Sequence, residues 1–195
     1  MANPNRPGRA PMTEEEIRAA WVTEPPRLVG KIKVADYDPA WPRLFQREAE
    51  RIRAVLGKRV VRLEHVGATA VPAKPVIDIL LVVADSGDEP AYVPDLEAAG
   101  YVLFIREPDW HQHRCFKGPD TNIQLHVYSP GSPEIERFLV FRDRLRSDPA
   151  DRERYQRVKR ELAQRDWRYG QQYADAKTEV VEEIVLRARA LAGGD

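Results

Sequence analysis

One carboxylate lies in the most apolar stretch of the sequence, VIDILLVVA at residues 76–84, where Asp78 is the single charged residue. Burial of a carboxylate is costly unless the group is paired, hydrogen-bonded or bound to a metal. Strand alternation places Asp78 on the same face as Val76 and Leu80. Asp78 is therefore predicted to be a ligand of a metal or phosphate site, and a buried carboxylate satisfied by backbone amides is the alternative.

A turn of small residues, Gly67-Ala68-Thr69, precedes that strand, with His65 before the turn and Lys74 after it. Backbone N–H groups in such a turn approach an anion closely, and the Thr69 hydroxyl adds a donor. We expect these residues to bind a phosphate group. An ordinary tight turn is the alternative that this short motif leaves open.

Polar residues also alternate along two later strand-like segments, HRCFK (113–117) and IQLHVY (123–128). Each segment presents its polar residues on one face, and these are His113, Cys115 and Lys117, and Gln124, His126 and Tyr128. Imidazole and carboxylate together suit a divalent metal or an acid–base pair. If the strands are neighbours, we expect Asp78 and His126 to bind one metal ion and His113 to act beside them. A structural role is expected for His111, whose surroundings are loop-like, and Cys115 has no clear base to activate it as a nucleophile.

Three basic residues, Lys117, Arg142 and Lys177, are predicted to bind the same phosphate group. Lys117 shares a strand face with His113, whereas Arg142 and Lys177 fall on the apolar stripes of two predicted C-terminal helices. A cation on an apolar helix face must find an anion or extend to solvent. We expect Arg142 and Lys177 to reach back to a phosphate at the sheet, and salt bridges to Asp or Glu are the alternative.

The elements that must position these residues follow from hydrophobic periodicity and from turn and cap signals. Strands are predicted near 31–37, 59–65, 76–84, 101–105, 113–117 and 123–128. Helices are predicted after Thr13, after Asp38-Pro39, over 90–99, after Pro133, after Pro149 and over 171–191. The fold class is α+β, a mixed β-sheet with flanking helices and a C-terminal helical segment from about residue 132. Residues 1–30 are read as an N-terminal arm, disordered over 1–12 and carrying a short helix, and residues 31–195 as the main domain.

Composition limits the function further. The 195 residues are 43% hydrophobic, enough for a core, and the 31 basic and 31 acidic residues give no charge bias that would favour nucleic-acid binding. A single cysteine excludes an intrachain disulfide and fits a reducing compartment. The sequence has neither an apolar run of about 18 residues nor a signal-peptide core. We therefore expect a cytoplasmic protein without membrane association, and the sequence leaves the oligomeric state open.

The segment EHVGATAVPAKPVIDILLVV (64–83) resembles the signature of GrpB-like proteins. Four further segments are similar to motifs of this family: DPAWPRLFQREAERI, IQLHVY, GSPEIERFLVFRDRLR and YADAKTEVVEEI. The resemblance covers about residues 32–192. It implies a nucleotidyltransferase-like fold, in which a mixed sheet carries a Gly-Ser or Gly-Gly turn before the catalytic strand. Some members of the family are fused behind a dephospho-CoA kinase.

The resemblance also exposes two departures from active nucleotidyltransferases. Their catalytic strand carries Asp-x-Asp or Asp-x-Glu, and these carboxylates help to bind two metal ions about 4 Å apart. Here the matching positions are Asp78 and Leu80, so the second carboxylate is absent. Ala68 stands where the superfamily prefers Ser or Gly. His126 lies about where a third acid is expected, which implies one Mg²⁺ or Mn²⁺ ion, bound by Asp78 and His126.

The residues and the resemblance together predict a nucleotidyltransferase-like transferase that acts on a nucleotide or another phosphorylated small molecule. The predicted catalytic residues are Asp78, His126 and His113, and the predicted ligand-binding residues are His65, Gly67, Ala68, Thr69, Lys74, Lys117, Arg142 and Lys177. Two alternatives stay open. One is a non-catalytic module that binds a nucleotide or a CoA-type ligand, and the other is a histidine-dependent hydrolase, cyclase or ligase on the same fold.

Overall fold

The apolar stretch around Asp78 forms the second strand, β2, of a five-stranded sheet in the computed structural model, which describes residues 10–34, 37–68 and 76–192. The strands are β1 (Arg62–Val66), β2 (Ile77–Val82), β3 (Val102–Glu107), β4 (His113–Lys117) and β5 (Ile123–Tyr128). The helices are α1 (Glu14–Ala20), α2 (Trp41–Leu56), α3 (Val93–Ala98), α4 (Pro133–Ser147), α5 (Pro149–Ala163), α6 (Gly170–Asp175) and α7 (Thr178–Ala192). Short 3₁₀ turns cover Gly57–Arg59 and Glu89–Ala91.

The sheet is mixed. Its strand order is β1-β2-β5-β4-β3, in which β2 and β5 run parallel and the other neighbours antiparallel. The predicted α+β class, with flanking helices and a C-terminal helical segment, is confirmed. The register sets Asp78 beside Gln124 and Leu80 beside His126. Cys115 on β4 lies opposite His126 on β5, so the polar residues of three strands share one face.

The other face of the sheet, here called the α2 face, is covered by α2 and α3 and is apolar. Its strand residues, including Ile79 and Leu81, pack in one core cluster with Ile52 of α2 and Leu96 of α3. The predicted helix start at Asp38-Pro39 is wrong by about two residues, since α2 begins at Trp41 after the N-cap Ala40 and has Pro42 in its first turn. Asp38 instead stabilises the preceding turn, where its carboxylate accepts a hydrogen bond from the Ala40 N–H at 2.8 Å. The α2 face is therefore a conventional hydrophobic core.

The face that carries Asp78, here called the α4 face, is covered by the C-terminal helices. Leu80 and Tyr128 pack with Phe138 of α4. Helix α4 packs in turn on α5 and α7, through a second cluster that includes Phe141 and Ile184. Apolar residues on the α4 face thus pack against α4, and the helices α4, α5 and α7 lie on the same side of the sheet as the polar strand residues.

Three further predictions about the elements need correction. Residues 31–34 form no strand, although Ile32 is buried against Leu162 and Tyr173. The single helix predicted over 171–191 is two helices, because α6 ends in a turn at Ala176 and the Thr178 hydroxyl bonds back to the Asp175 carbonyl. Both errors arise because burial does not by itself dictate a regular backbone.

The third correction concerns the predicted disordered arm. Residues 1–9 lie outside the described part of the chain, but Met12 is buried, and its N–H donates to Asp175 Oδ2 at 2.9 Å. The predicted helix start at Thr13 is confirmed by a capping box with Glu16. Beyond α1, Trp21 forms a β-bridge with Ile105 of β3. Within the described residues, no helix is long and apolar enough to cross a membrane.

Candidate functional site

A cleft of about 410 Å³ opens between the α4 face of the sheet and the helices α4–α7, and we call it the sheet–helix cleft. The strands and the turn before β2 contribute Gly67, Ala68, Asp78, His113, Cys115, Lys117, Gln124 and His126. The helices contribute Arg137, Tyr155, Lys159 and Tyr173, and the turn between α6 and α7 contributes Lys177. Most of the residues predicted to act together from their strand positions therefore do meet in one cavity.

The turn before β2 touches Asp78 directly. Gly67 has a φ of +72°, which favours glycine, and a Cβ added there would overlap Asp78 Oδ2. The glycine is thus required both by its backbone conformation and by the close approach of the carboxylate. Thr69 and Lys74, which were predicted to bind the ligand with Gly67 and Ala68, lie outside the described residues.

A chain of carboxylates and imidazoles crosses the cleft. Glu107 Oε2 lies 2.8 Å from His113 Nδ1, and His113 Nε2 lies 3.1 Å from His126 Nδ1. His126 Nε2 lies 3.8 Å from Asp78 Oδ1. The His113 ring also stacks on the Tyr128 ring, with centroids 4.8 Å apart, which fixes its orientation. Each histidine therefore has one ring nitrogen toward a carboxylate and the other toward its partner.

The charge of His126 is set by opposing effects. Burial favours the neutral imidazole, but the neighbouring Cys115 sulfur and the Asp78 carboxylate favour the imidazolium more strongly, so the pKa of His126 is raised above its usual value. His126 is therefore equipped to hold a proton at neutral pH. This charge suits a general acid or a group that contacts an anion.

Two lysines border the cleft on its helix side, the buried Lys159 of α5 and the partly buried Lys177 in the turn between α6 and α7. Lys159 is 3% exposed and lies over the Tyr155 ring at 4.8 Å, and Lys177 lies over the Tyr173 ring at 4.7 Å. Burial, followed by repulsion from Lys177, lowers the pKa of Lys159 to about 7. An anion that enters the cleft would stabilise the charged form of Lys159, because opposite charge offsets the cost of desolvation.

A buried ion pair borders the same cavity. Arg137 Nε donates to Glu134 Oε1 at 3.1 Å, and burial raises the pKa of Glu134 to about 7. The sequence prediction missed Lys159, Arg137 and Glu134. A signal was present for Lys159, since Tyr155 and Leu162 lie one helical turn to either side of it.

Two of the predicted ligand-binding cations, Lys117 and Arg142, differ in whether they line the sheet–helix cleft. Lys117 lines the cleft, and its Nζ lies 5.4 Å and 5.1 Å from the centroids of the Trp21 and Phe104 rings. Arg142 does not line it; its guanidinium contacts Glu64 Oε2 at 2.9 Å and the His65 carbonyl at 3.3 Å. The salt-bridge alternative is thus the one observed for Arg142.

His65 borders both the sheet–helix cleft and a second cleft of about 580 Å³ at the β1 edge, where Arg142 and Arg146 also lie. Its ring belongs to the α2 face and stacks on Phe45 with centroids 4.9 Å apart. Burial, with a smaller effect from Arg146, lowers the pKa of His65 to about 4. His111 lies in the β3–β4 turn with a φ of 52° and is not among the residues that line the sheet–helix cleft.

The chain matches one protein family over most of its length. The family described as "GrpB protein" matches residues 31–187. A UPF0157 protein of Halalkalibacterium halodurans is 58% identical over 183 residues, which cover 92% of this chain and 94% of that protein. A dephospho-CoA kinase of Mycolicibacterium paratuberculosis is 31% identical over 163 residues, which cover 69% of this chain and 40% of the kinase.

A solved structure shares the architecture. The crystal structure of conserved protein GrpB from Enterococcus faecalis superposes with a TM-score of 0.71 at 30% sequence identity. The superposition covers 82% of this chain and 99% of the Enterococcus chain. The arrangement of sheet and helices is therefore shared with a protein of that family.

Proposed function

The chain belongs to the GrpB family, and we propose that it is an enzyme of nucleotidyltransferase type that acts on a nucleotide or another phosphorylated small molecule in the sheet–helix cleft. One observation carries the proposal: the described lining has a marked excess of positive charge. Its basic residues are Arg27, Lys117, Arg137, Lys159 and Lys177, and its acidic residues are Asp78 and Glu107.

The position of the basic groups favours a phosphorylated ligand. Lys159 and Lys177 lie on the helix side of the cavity, opposite Asp78 and His126 on the sheet. In a partly desolvated cavity, cation–phosphate contacts are stronger than on an exposed surface. The turn at Gly67 supplies backbone close to the same carboxylate. A phosphate group in this cleft would contact lysines on one side and the imidazole network on the other.

The single Mg²⁺ or Mn²⁺ ion expected at Asp78 and His126 is poorly matched to the described residues. Leu80, at the position of the second carboxylate, is fully buried in an apolar cluster with Val66 and Val82. Mg²⁺ prefers octahedral oxygen ligands, whereas the neighbour of Asp78 is the His126 imidazole, which itself lies next to the Cys115 thiol. Mn²⁺ accepts imidazole but ranks lowest among the divalent transition metals in affinity for such sites. We therefore assign no reaction step to Mg²⁺ or Mn²⁺.

The residues themselves suggest how the reaction would be assisted. His126, whose pKa is raised, would deliver a proton to the leaving group or stabilise its negative charge. Asp78 and His113 would hold the His126 ring in place. Lys159 and Lys177 would neutralise the transferred phosphate. These roles leave the acceptor of the transferred group open.

Calorimetric titration with nucleoside triphosphates and with pyrophosphate tests the proposal. We expect Lys159→Met and Lys177→Met each to weaken binding at least tenfold, and Lys58→Met, on the exposed turn Gly57–Arg59, to leave it unchanged. Product analysis then separates transfer of a nucleotidyl group from simple hydrolysis. Absence of binding, or equal affinities for all three variants and the wild type, would rule the proposal out.

A second function, ligand binding without catalysis, is favoured by Leu80. An ancestral two-metal site that lost its second acid would still bind a nucleotide or a CoA-type ligand, and one relative is a dephospho-CoA kinase. This alternative predicts that ligand raises the melting temperature while no product forms. It also predicts that His126→Gln leaves the ligand affinity unchanged, whereas the enzyme proposal requires loss of turnover in that variant.

A further inference from the structure

Three metal-binding atoms converge at the centre of the sheet. His113 and Cys115 lie two residues apart on β4 and share a face, and Cys115 pairs with His126 on β5. The candidate ligand atoms of these residues all lie within 4.8 Å of one another. Cys115 is 1% exposed, so its sulfur is held among protein groups. The register of two adjacent strands therefore creates a compact set of two nitrogens and one sulfur.

The orientation of both imidazoles suits a metal. Glu107 bonds the remote nitrogen of His113 at 2.8 Å, and Asp78 lies 3.8 Å from the remote nitrogen of His126. Histidines that bind metals commonly direct the second ring nitrogen to a carboxylate, which fixes the tautomer and strengthens the ligand. The nitrogens left over, His113 Nε2 and His126 Nδ1, face each other at 3.1 Å.

We propose that His113 Nε2, Cys115 Sγ and His126 Nδ1 bind one zinc-type transition-metal ion, with Glu107 and Asp78 as positioning residues. Tetrahedral Zn²⁺ with ligands about 2.0–2.3 Å away requires donor atoms about 3.3–3.8 Å apart. The observed nitrogen–nitrogen separation needs only a small outward shift to meet this value.

The donor set selects the class of metal. A thiolate with two imidazoles suits Zn²⁺ and is poorly matched to Mg²⁺ or Ca²⁺. Three protein ligands leave the fourth coordination position open toward the sheet–helix cleft, as in catalytic rather than structural zinc sites. The metal site shares His126 and His113 with the proposed reaction, and His126 bound through Nδ1 would keep only the proton on Nε2, which faces Asp78. Binding of the metal alone requires no phosphorylated ligand, so the two proposals are tested separately.

A nucleophilic Cys115 with His126 as its base is the nearest rival. That arrangement uses two of the three groups and leaves the Glu107–His113 pair without a part in the chemistry. It predicts a thiol that reacts rapidly with iodoacetamide. The metal site predicts slow alkylation that becomes slower still when Zn²⁺ is present.

The test uses chelator-treated full-length protein titrated with Co²⁺, followed by displacement with Zn²⁺. We expect one equivalent of Co²⁺ to produce a sulfur-to-cobalt charge-transfer band and the intense visible bands of tetrahedral cobalt. Cys115→Ser should abolish the charge-transfer band and weaken binding at least 100-fold. Glu107→Gln should weaken binding about 10–100-fold while keeping the band. His111→Asn, in the adjacent turn, is the matched control and should bind as the wild type does.

X-ray absorption at the zinc edge of the wild-type protein provides a measurement that needs no variant. A sulfur scatterer at about 2.3 Å together with nitrogen scatterers at about 2.0 Å is the expected result. A metal coordinated by oxygen and nitrogen alone, or Co²⁺ binding without a sulfur band, would overturn the proposal. Failure of this test leaves the binding of phosphorylated ligands standing, because that binding is measured without added metal.

Discussion

The two faces of the sheet bury acidic residues in opposite ways. On the α2 face, Glu48 of α2 is fully buried and accepts hydrogen bonds from the Tyr101 hydroxyl at 2.7 Å and the Thr121 hydroxyl at 2.8 Å. Next to the α4 face, Glu134 is equally buried, but its Oε2 has no hydrogen-bond partner among the described residues. Within the described part of the chain, its other oxygen accepts a hydrogen bond only from Arg137.

This difference in hydrogen bonding indicates that one face contributes to stability and the other to function. A buried polar group with all its hydrogen bonds made costs little, and it helps to specify one packing arrangement. A buried group with incomplete hydrogen bonding raises the free energy of the folded state. The α4 side also buries Lys159, whose charge is disfavoured there. We infer that the α2 face stabilises the fold and that the α4 face gives up some stability to form the cleft.

The largest expected effect is a loss of stability when the core of the α2 face is disrupted. Ile52→Ala removes a fully buried side chain of α2 from the main core cluster. We expect the free energy of unfolding to fall by about 2–5 kcal/mol, measured by urea denaturation. Ligand affinity of the folded fraction should stay unchanged. A large change in affinity would mean that the two faces are not separable.

The second prediction is a gain of stability on replacing Lys159 of the α4 side. Because the pKa of Lys159 is lowered from 10.5 to about 7, the unfolded chain binds an extra proton between these values, and stability rises with pH across that window. Lys159→Met removes this cost, so we expect a higher melting temperature at pH 6 than the wild type. The difference should shrink as the pH approaches 10. A destabilised Lys159→Met at pH 6 would contradict this account of the α4 side.

A smaller effect concerns His65 on the α2 face. Its pKa is lowered to about 4, so the unfolded chain binds a proton between pH 6.5 and 4 while the folded chain does not. Stability should therefore fall as the pH drops through this window. We expect His65→Phe, which keeps a ring beside Phe45, to remove about 1–3 kcal/mol of that acid sensitivity in urea titrations at pH 7 and pH 4.5. Equal pH dependence in the two proteins would exclude the explanation.

The smallest effect is at the edge of β1. Arg142 pairs with Glu64 in a partly exposed position, with side-chain exposures of 12% and 29%, and we expect this pair to contribute on the order of 1 kcal/mol. Arg142→Gln should therefore change the melting temperature slightly and leave the affinity for phosphorylated ligands unchanged. A tenfold loss of affinity would restore the role predicted for Arg142 from its helix position.

The site residues on the strands could be predicted from the sequence, because strand residues alternate between the two faces and a polar residue in an apolar strand is conspicuous. Asp78 stands out in an apolar strand, and the alternation of HRCFK and IQLHVY places His113 and His126 on one face, as observed. Local patterns carry this information because strand neighbours and faces follow from backbone geometry. The mixed sheet and the α+β class followed from the same patterns.

The helix contributions could not be derived in the same way. Helices α4 and α5 are rich in charge, so a buried Arg137 is not distinguished from the solvated arginines around it. For Lys159 the signal is limited to the flanking Tyr155 and Leu162. Arg142 falls on an apolar stripe, yet its direction is decided by Glu64, which is distant in sequence. Tertiary packing, which no local pattern specifies, decides which cations reach the cleft.

Calorimetric titration of wild type and Lys159→Met with a nucleoside triphosphate at pH 6 and pH 8 tests most directly whether the cleft binds phosphorylated ligands. Lys159, with a pKa of about 7, is mostly charged at the lower pH and mostly neutral at the higher. The wild type should bind at least threefold more weakly at pH 8 and take up a proton on binding there. Lys159→Met should bind weakly at both values, without that proton uptake. Absence of binding, or identical affinity and proton uptake in the two proteins, would contradict the account.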